Sequence, residues 1–164
     1  MKLGEEVEVR IEDVAFGGDG VGRVNGMVVF APFTAVGDRV TVKVIKTGKR
    51  FVRGLPMGCA EEGPGRVVPE CPYYGACGGC QYQHVDYPTE LAAKTKQLRD
   101  VLERIGGVGE VRLGPVVASP EVYGYRNRIT VHRQEGRLGF WAIDGKTVVD
   151  VERCALASEA VNER

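Results

Sequence analysis

Three of the five cysteines fall within ten residues, in Cys71-Pro-Tyr-Tyr-Gly-Ala-Cys77-Gly-Gly-Cys80-Gln-Tyr-Gln-His84. The spacing is C-x5-C-x2-C, and whatever these thiols hold must dictate how the surrounding chain bends. Gly78 and Gly79 tolerate positive φ and would let the backbone close on a bulky polynuclear centre such as a [4Fe-4S] cluster. Such a centre needs a fourth ligand. Cys154, in Asp150-Val-Glu-Arg-Cys154, is the leading candidate and would pin the end of the chain onto its middle, which leaves Cys59 as the spare. Structural zinc remains open, although it usually takes two short cysteine pairs. Disulfides or free thiols remain open too. Met1-Lys2-Leu3-Gly4-Glu5-Glu6 shows no secretory leader, which points to the reducing cytoplasm and away from disulfides. His84 reads as a packing or hydrogen-bonding residue.

The rest of the chain supplies strands. Val7, Val9 and Ile11 alternate with charge, Met27-Val-Val-Phe30 is an apolar run, Val40, Val42 and Val44 alternate again, and Phe51 to Leu55 makes a further strand. Short strands with glycine turns inside so little chain predict a small OB-like barrel. Gly18-Asp-Gly20-Val-Gly22 looks like a phosphate-cradling loop, but Arg23-Val-Asn-Gly26 leads on into another strand, where such a loop must open a helix. It reads as a hairpin connection.

Pro56, Gly58, Gly63, Pro64 and Gly65 break the periodicity, which predicts a barrel over 1–57, a linker over 58–70 and a second domain over 71–164. In that domain Asp86 or Thr89 caps a helix carrying Leu91, Leu98, Val101, Leu102 and Ile105 as core positions, ended by Gly106-Gly107. Strands follow around Pro115–Val117, Tyr125–His132, Arg137–Trp141 and Thr147–Val151. The expected fold class is therefore mainly β with one helix, an OB-like barrel followed by a β-rich α+β domain that carries the four-cysteine site.

Formal net charge is zero, so any nucleic-acid face must come from local segregation of charge. Lys43, Lys46, Lys49, Arg50 and Arg53 form a basic run with no acid among them, and Phe51 sits inside it. A solvated face and a phosphate-tracking surface are both compatible with the run. Arg126, Arg128 and His132 alternate with Asn127, Ile129 and Val131, which would put the basic groups on one strand face beside Tyr125, able to hold phosphates and stack a base, or simply exposed. No apolar run is long enough for a membrane helix.

Residues 1–56, with Phe16-Gly-Gly-Asp-Gly-Val-Gly22, Phe30-Ala-Pro-Phe33 and Gly37-Asp-Arg39-Val40, resemble a TRAM domain, an RNA-binding barrel of RNA-modifying enzymes. With Cys71-x5-Cys77-Gly-Gly-Cys80, Gly124-Tyr-Arg126-Asn-Arg128, Leu138-Gly-Phe140 and Val149-Asp-Val151-x2-Cys154, nearly the whole chain is similar to bacterial RNA (uracil-5-)-methyltransferases. The similarity is greatest to the iron-sulfur subgroup acting on large-subunit (23S) ribosomal RNA. The resemblance implies that Cys71, Cys77, Cys80 and Cys154 hold a [4Fe-4S] cluster and that the partner is ribosomal RNA, bound by a cytoplasmic monomer.

The family adds a catalytic cysteine to carbon-6 of uracil and methylates carbon-5 from S-adenosylmethionine, using a Rossmann-like domain. The sequence stops at Arg164 without such a domain. No catalytic or S-adenosylmethionine-binding residue is therefore expected here, and the chain alone is expected to be inactive. Because methyl transfer of this kind moves no electrons, the cluster is expected to be a structural staple. A non-catalytic RNA-binding protein with a cluster or zinc is the alternative. A radical methylthiotransferase fits less well, since those enzymes use C-x3-C-x2-C and place the barrel last.

Overall fold

The computed structural model describes residues 1–163. The chain divides into two compact units, one made of Met1–Val67 with His84–Val116, the other of Val68–Gln83 with the chain from Val117 onward.

In the first unit, β1 (Glu6–Val14), β2 (Gly20–Val24), β3 (Met27–Ala31), β4 (Arg39–Thr47) and β5 (Phe51–Glu61) close a barrel in the order β1-β2-β3-β5-β4. Neighbours are antiparallel except β3 and β5, which run parallel and complete the ring. Period-two alternation turns Val9, Ile11, Val29, Ala31, Val40, Val42, Val44 and Val52 inward as one buried core. Gly18 and Asp19 of the glycine stretch lie in a hairpin connection, as its context predicts, while residues 20–22 already belong to β2. The function of the stretch is steric. A β-carbon at Gly20 would stand 2.0 Å from Thr34 Oγ1, and one at Gly22 would stand 2.2 Å from the Arg10 carbonyl.

The expected linker begins inside a strand. β5 runs on to Glu61, and Pro56 and Gly58 are tolerated because the β4–β5 register shifts beside them, leaving bulges where a missing donor or side chain costs little.

α1 (Tyr87–Asp100) groups with the barrel unit rather than with the cysteine loop. Asp86 caps it by accepting from Thr89 N at 2.8 Å, and a five-residue π-helical turn, Val101–Ile105, continues it to Gly106. Its expected apolar core holds only in part: Leu91, Val101 and Leu102 are half-buried, but Leu98 is 51% and Ile105 81% exposed, and the one buried residue of α1 is Gln97. Gln97 Nε2 donates to the Val14 and Ala15 carbonyls at 3.1 and 3.0 Å, and Lys96 reaches Asp13 at 2.6 Å, so polar contacts fasten this helix to β1.

The second unit carries a three-stranded antiparallel sheet, β6 (His132–Gln134), β7 (Arg137–Trp141) and β8 (Val148–Asp150), and a short α2 (Glu159–Asn162). The strands expected at 115–117 and over 125–132 are absent, except that His132 opens β6. β-branched residues gave those stretches a strand-like period, but no partner strand faces them.

Candidate metal centre and nucleic-acid interface

The cysteine loop is a chain of tight turns. Tyr74 N donates to Cys71 O at 3.1 Å, and Cys77 N donates to Tyr73 O at 2.8 Å. Gly78 and Gly79 do not take positive φ; Gly75 does, at 85°. What Gly78 provides is close approach. Its N–H donates to Trp141 O at 2.9 Å, and a β-carbon there would meet the Trp141 and Ala142 carbonyls at 3.1 Å. The loop is thereby fastened to β7. Cys154 is placed by α2: Asn162 Oδ1 accepts the Cys154 N–H at 2.9 Å, and Asn162 Nδ2 donates to Cys154 O at 3.1 Å.

These supports bring Cys71, Cys77, Cys80 and Cys154 to the wall of one cavity of about 460 Å3, part of it open to solvent, with Tyr73, Phe140, Val151 and Leu156 as apolar lining. All five cysteines are free thiols, and Cys59 is exposed in the other unit. Among the described residues, no group of three or more His, Cys, Asp or Glu side chains stands close enough to hold a metal ion. The thiols thus share a space without converging on a point. A single zinc needs four sulfurs drawn to about 2.3 Å of one centre, whereas a polynuclear cluster fills a larger hollow. The donor chemistry agrees with a cationic occupant. Burial pushes the Cys77 and Cys80 thiols up, and the nearness of Cys71 and Cys154 adds to it, so four thiolates here need positive charge among them.

His84 belongs to the barrel unit. It is buried, its ring hydrogen-bonds the Thr34 backbone, and burial holds it below its ordinary pKa. Near it lies a fully paired buried charge whose pairing the motif reading passed over. Asp38 is completely buried and accepts from Ala35 N at 2.7 Å, Gly63 N at 2.7 Å, Arg66 Nε at 3.2 Å and an Arg66 terminal nitrogen at 2.5 Å.

The five barrel cations are all exposed. Lys43 and Lys46 lie on β4, Lys49 and Arg50 in the following turn, and Arg53 on β5. The run itself contains no acid, but Asp19 from the β1–β2 connection pairs with Arg53. Arg53 also stacks over Phe30, 5.4 Å from the ring centre, and Phe30 meets Phe51 edge-on at 6.0 Å. Lys46, Arg53 and Phe30 are register partners across β4, β5 and β3, so one row joins a cation, a stacked guanidinium and a ring. Such a row suits a nucleic-acid strand, with phosphate on Lys46 and a base on the aromatic pair. Phe30→Ala is expected to weaken single-stranded RNA binding by about 1–3 kcal/mol without changing its salt slope. A filter-binding salt series checks this, and an unchanged affinity would remove the ring from the interface.

Tyr125, Arg126 and Arg128 are exposed but share no strand face. Arg126 stands beside the Tyr125 ring at 5.8 Å, its N–H donates to Leu156 O at 2.8 Å, and its side chain lines the cysteine cavity. The alternation that suggested a basic strand is real in the sequence, yet the backbone there bridges only at Arg126 with Ala157.

Residues 1–56 match the TRAM domain. An uncharacterized RNA methyltransferase of Aquifex aeolicus is 40% identical over 157 residues, covering 96% of this chain and 37% of the relative. One of Halalkalibacterium halodurans is 38% identical, covering 93% and 34%. The crystal structure of Pyrococcus abyssi tRNA (uracil-54, C5)-methyltransferase with S-adenosyl-L-homocysteine is similar over 95% of this chain and 34% of that one, with TM-score 0.60 and 28% identity. The chain spans about a third of the length of the curated relatives it matches. Among the described residues, no helix is long and apolar enough to cross a membrane.

Proposed function

We propose that this chain is the RNA-recognition and iron-sulfur portion of an S-adenosylmethionine-dependent (uracil-5-)-methyltransferase that makes 5-methyluridine in large-subunit ribosomal RNA. The similarity over 95% of the chain to a uracil-5-methyltransferase structure carries this reading. The TRAM match and the aromatic-cationic row on the barrel support RNA as the partner. The shared cavity of Cys71, Cys77, Cys80 and Cys154 supports a [4Fe-4S] cluster. Bound there, the cluster would tie the loop, β7 and the Cys154 segment together; its part is structural, since methylation at carbon-5 moves no electrons.

Binding of the chain to a large-subunit ribosomal RNA fragment and to tRNA, each over a salt series, tests the reading. Lys43, Lys46, Lys49 and Arg50 together predict a slope of log affinity on log salt of about −3. Their joint replacement by glutamine should flatten it. A slope near zero in the native chain would overturn RNA recognition, and tighter binding to tRNA would overturn the ribosomal substrate.

A further inference from the structure

Gln83 presents a buried polar atom with nothing to bond. Its Oε1 accepts the Cys71 N–H at 3.2 Å, while its Nε2 is buried and has no hydrogen-bond partner. The orientation is fixed by chemistry: turning the amide over would set two donors face to face at Cys71 N, so the orphan is the N–H end. Leaving a buried donor unpaired costs about 1–3 kcal/mol, and native chains seldom tolerate that without a use. Gln83 lines the same cavity as Cys71, Cys77, Cys80 and Cys154, and stands three residues after Cys80. Two other polar contacts of this loop face elsewhere. Tyr74 Oη donates to Gln81 O, and Gln81 Nε2 donates to Gly78 O, both at the exposed side.

We propose that the Gln83 side-chain amide donates an N–H···S hydrogen bond to the Cys80 sulfur when that sulfur is a thiolate ligand of the cluster, making Gln83 a positioning residue that tunes the centre. A neutral thiol is a weak acceptor, whereas a metal-bound thiolate carries the negative charge an amide donor seeks. The orphan is thus satisfied by loading the site. Hydrogen bonds to cluster sulfurs stabilise the more negative, reduced state and so raise the reduction potential. This inference rests on the iron-sulfur reading above.

The test uses the full chain purified without oxygen, with iron and sulfide measured first and the midpoint potential then titrated for the native protein, Gln83→Glu and Gln83→Leu. Gln83→Glu keeps an acceptor for the Cys71 N–H but replaces the donor with a charged carboxylate, so Gln83→Leu, which removes the donor without adding charge, is the deciding variant. Both variants should shift the reduction equilibrium towards the oxidised form by about tenfold, about 59 mV lower for a one-electron couple. A residue that merely packs the loop would speed cluster loss without moving the potential. A native protein that holds the cluster, with variants at the native potential, would overturn the inference and leave the cluster reading standing. Zinc without sulfide in the native protein would overturn both. If neither variant retains iron, native protein carrying 15N in its glutamine amides decides: hyperfine coupling to the reduced cluster is expected, and its absence overturns the proposal.

Discussion

Asp38→Asn should destabilise the barrel unit by about 3–5 kcal/mol, a large share of the 5–15 kcal/mol that holds an ordinary domain folded. The substitution keeps size and shape but removes the charge that Arg66 faces across 2.5 Å. The Arg66 side chain is only 18% exposed and also donates to Phe33 O at 3.1 Å, so it cannot simply swing into water. The new amide would also turn a donor towards one of the N–H groups of Ala35, Gly63 or Arg66 that the carboxylate now accepts from. Arg66→Met should cost less, because the two backbone donors remain for Asp38. The double variant should cost less than the sum of the singles, the signature of a direct pair. Urea unfolding of the four proteins checks this. A loss below about 1 kcal/mol in Asp38→Asn would mean the pair is solvated and does not hold the segment after β5 to the barrel.

The same network sets the acid limit of stability. Burial alone would raise the Asp38 pKa, but the Arg66, Ala35 and Gly63 donors outweigh it and hold the carboxyl below its ordinary value. The unfolded chain therefore takes up that proton first, and the Asp38 contribution, complete above about pH 4, is lost as pH falls further. His84 acts at higher pH. Its imidazole is held below the ordinary value of 6.5, so the unfolded state protonates first there as well, and stability should start to erode below about pH 6.5. His84→Gln should remove the first decline and Asp38→Asn the second.

Cys154→Ser should cost the second unit its cohesion. Under the cluster reading, removing one of four ligands abolishes stable metal loading, and binding energy of a structural centre is folding energy, on the order of 10 kcal/mol for structural metals. The loop over 68–83 would then rest on hydrogen bonds such as Gly78 N to Trp141 O, Ile143 N to Ala76 O and Glu152 N to Tyr73 Oη. Amide exchange in β7, β8 and the cysteine loop should rise, while the barrel, with its own core, should keep its protection. Cys59→Ser is the control and should change neither. Unaltered exchange in Cys154→Ser would show that the second unit folds without the centre and that the staple is not needed.

Much of the barrel was legible because each of its strands declares itself locally: Val7, Val9 and Ile11, or Val40, Val42 and Val44, need no distant partner to be read. The candidate centre was legible for a related reason, since three cysteines sit on one loop and only Cys154 is remote. What escaped reading depends on contacts between distant residues. Asp38 and Arg66 are 28 positions apart and Gln97 and Val14 are 83 apart, and nothing in either neighbourhood announces the pairing. The helix misled because Leu98 and Ile105 keep helical spacing yet stay exposed, while a glutamine makes the buried contact. The strand ascribed to Tyr125–His132 misled because alternation describes a chain's preference, and a strand exists only where another strand accepts its hydrogen bonds. Gln83 was invisible as a functional residue, since only the cavity shows that its amide has no partner.

Iron, acid-labile sulfide and zinc assayed together on protein purified without oxygen test the central claim most directly. The account predicts about four irons and four sulfides per chain and none of either in Cys154→Ser. One zinc per chain with no sulfide would contradict it, leaving the barrel and its RNA face in place but making the four-cysteine cavity a zinc site.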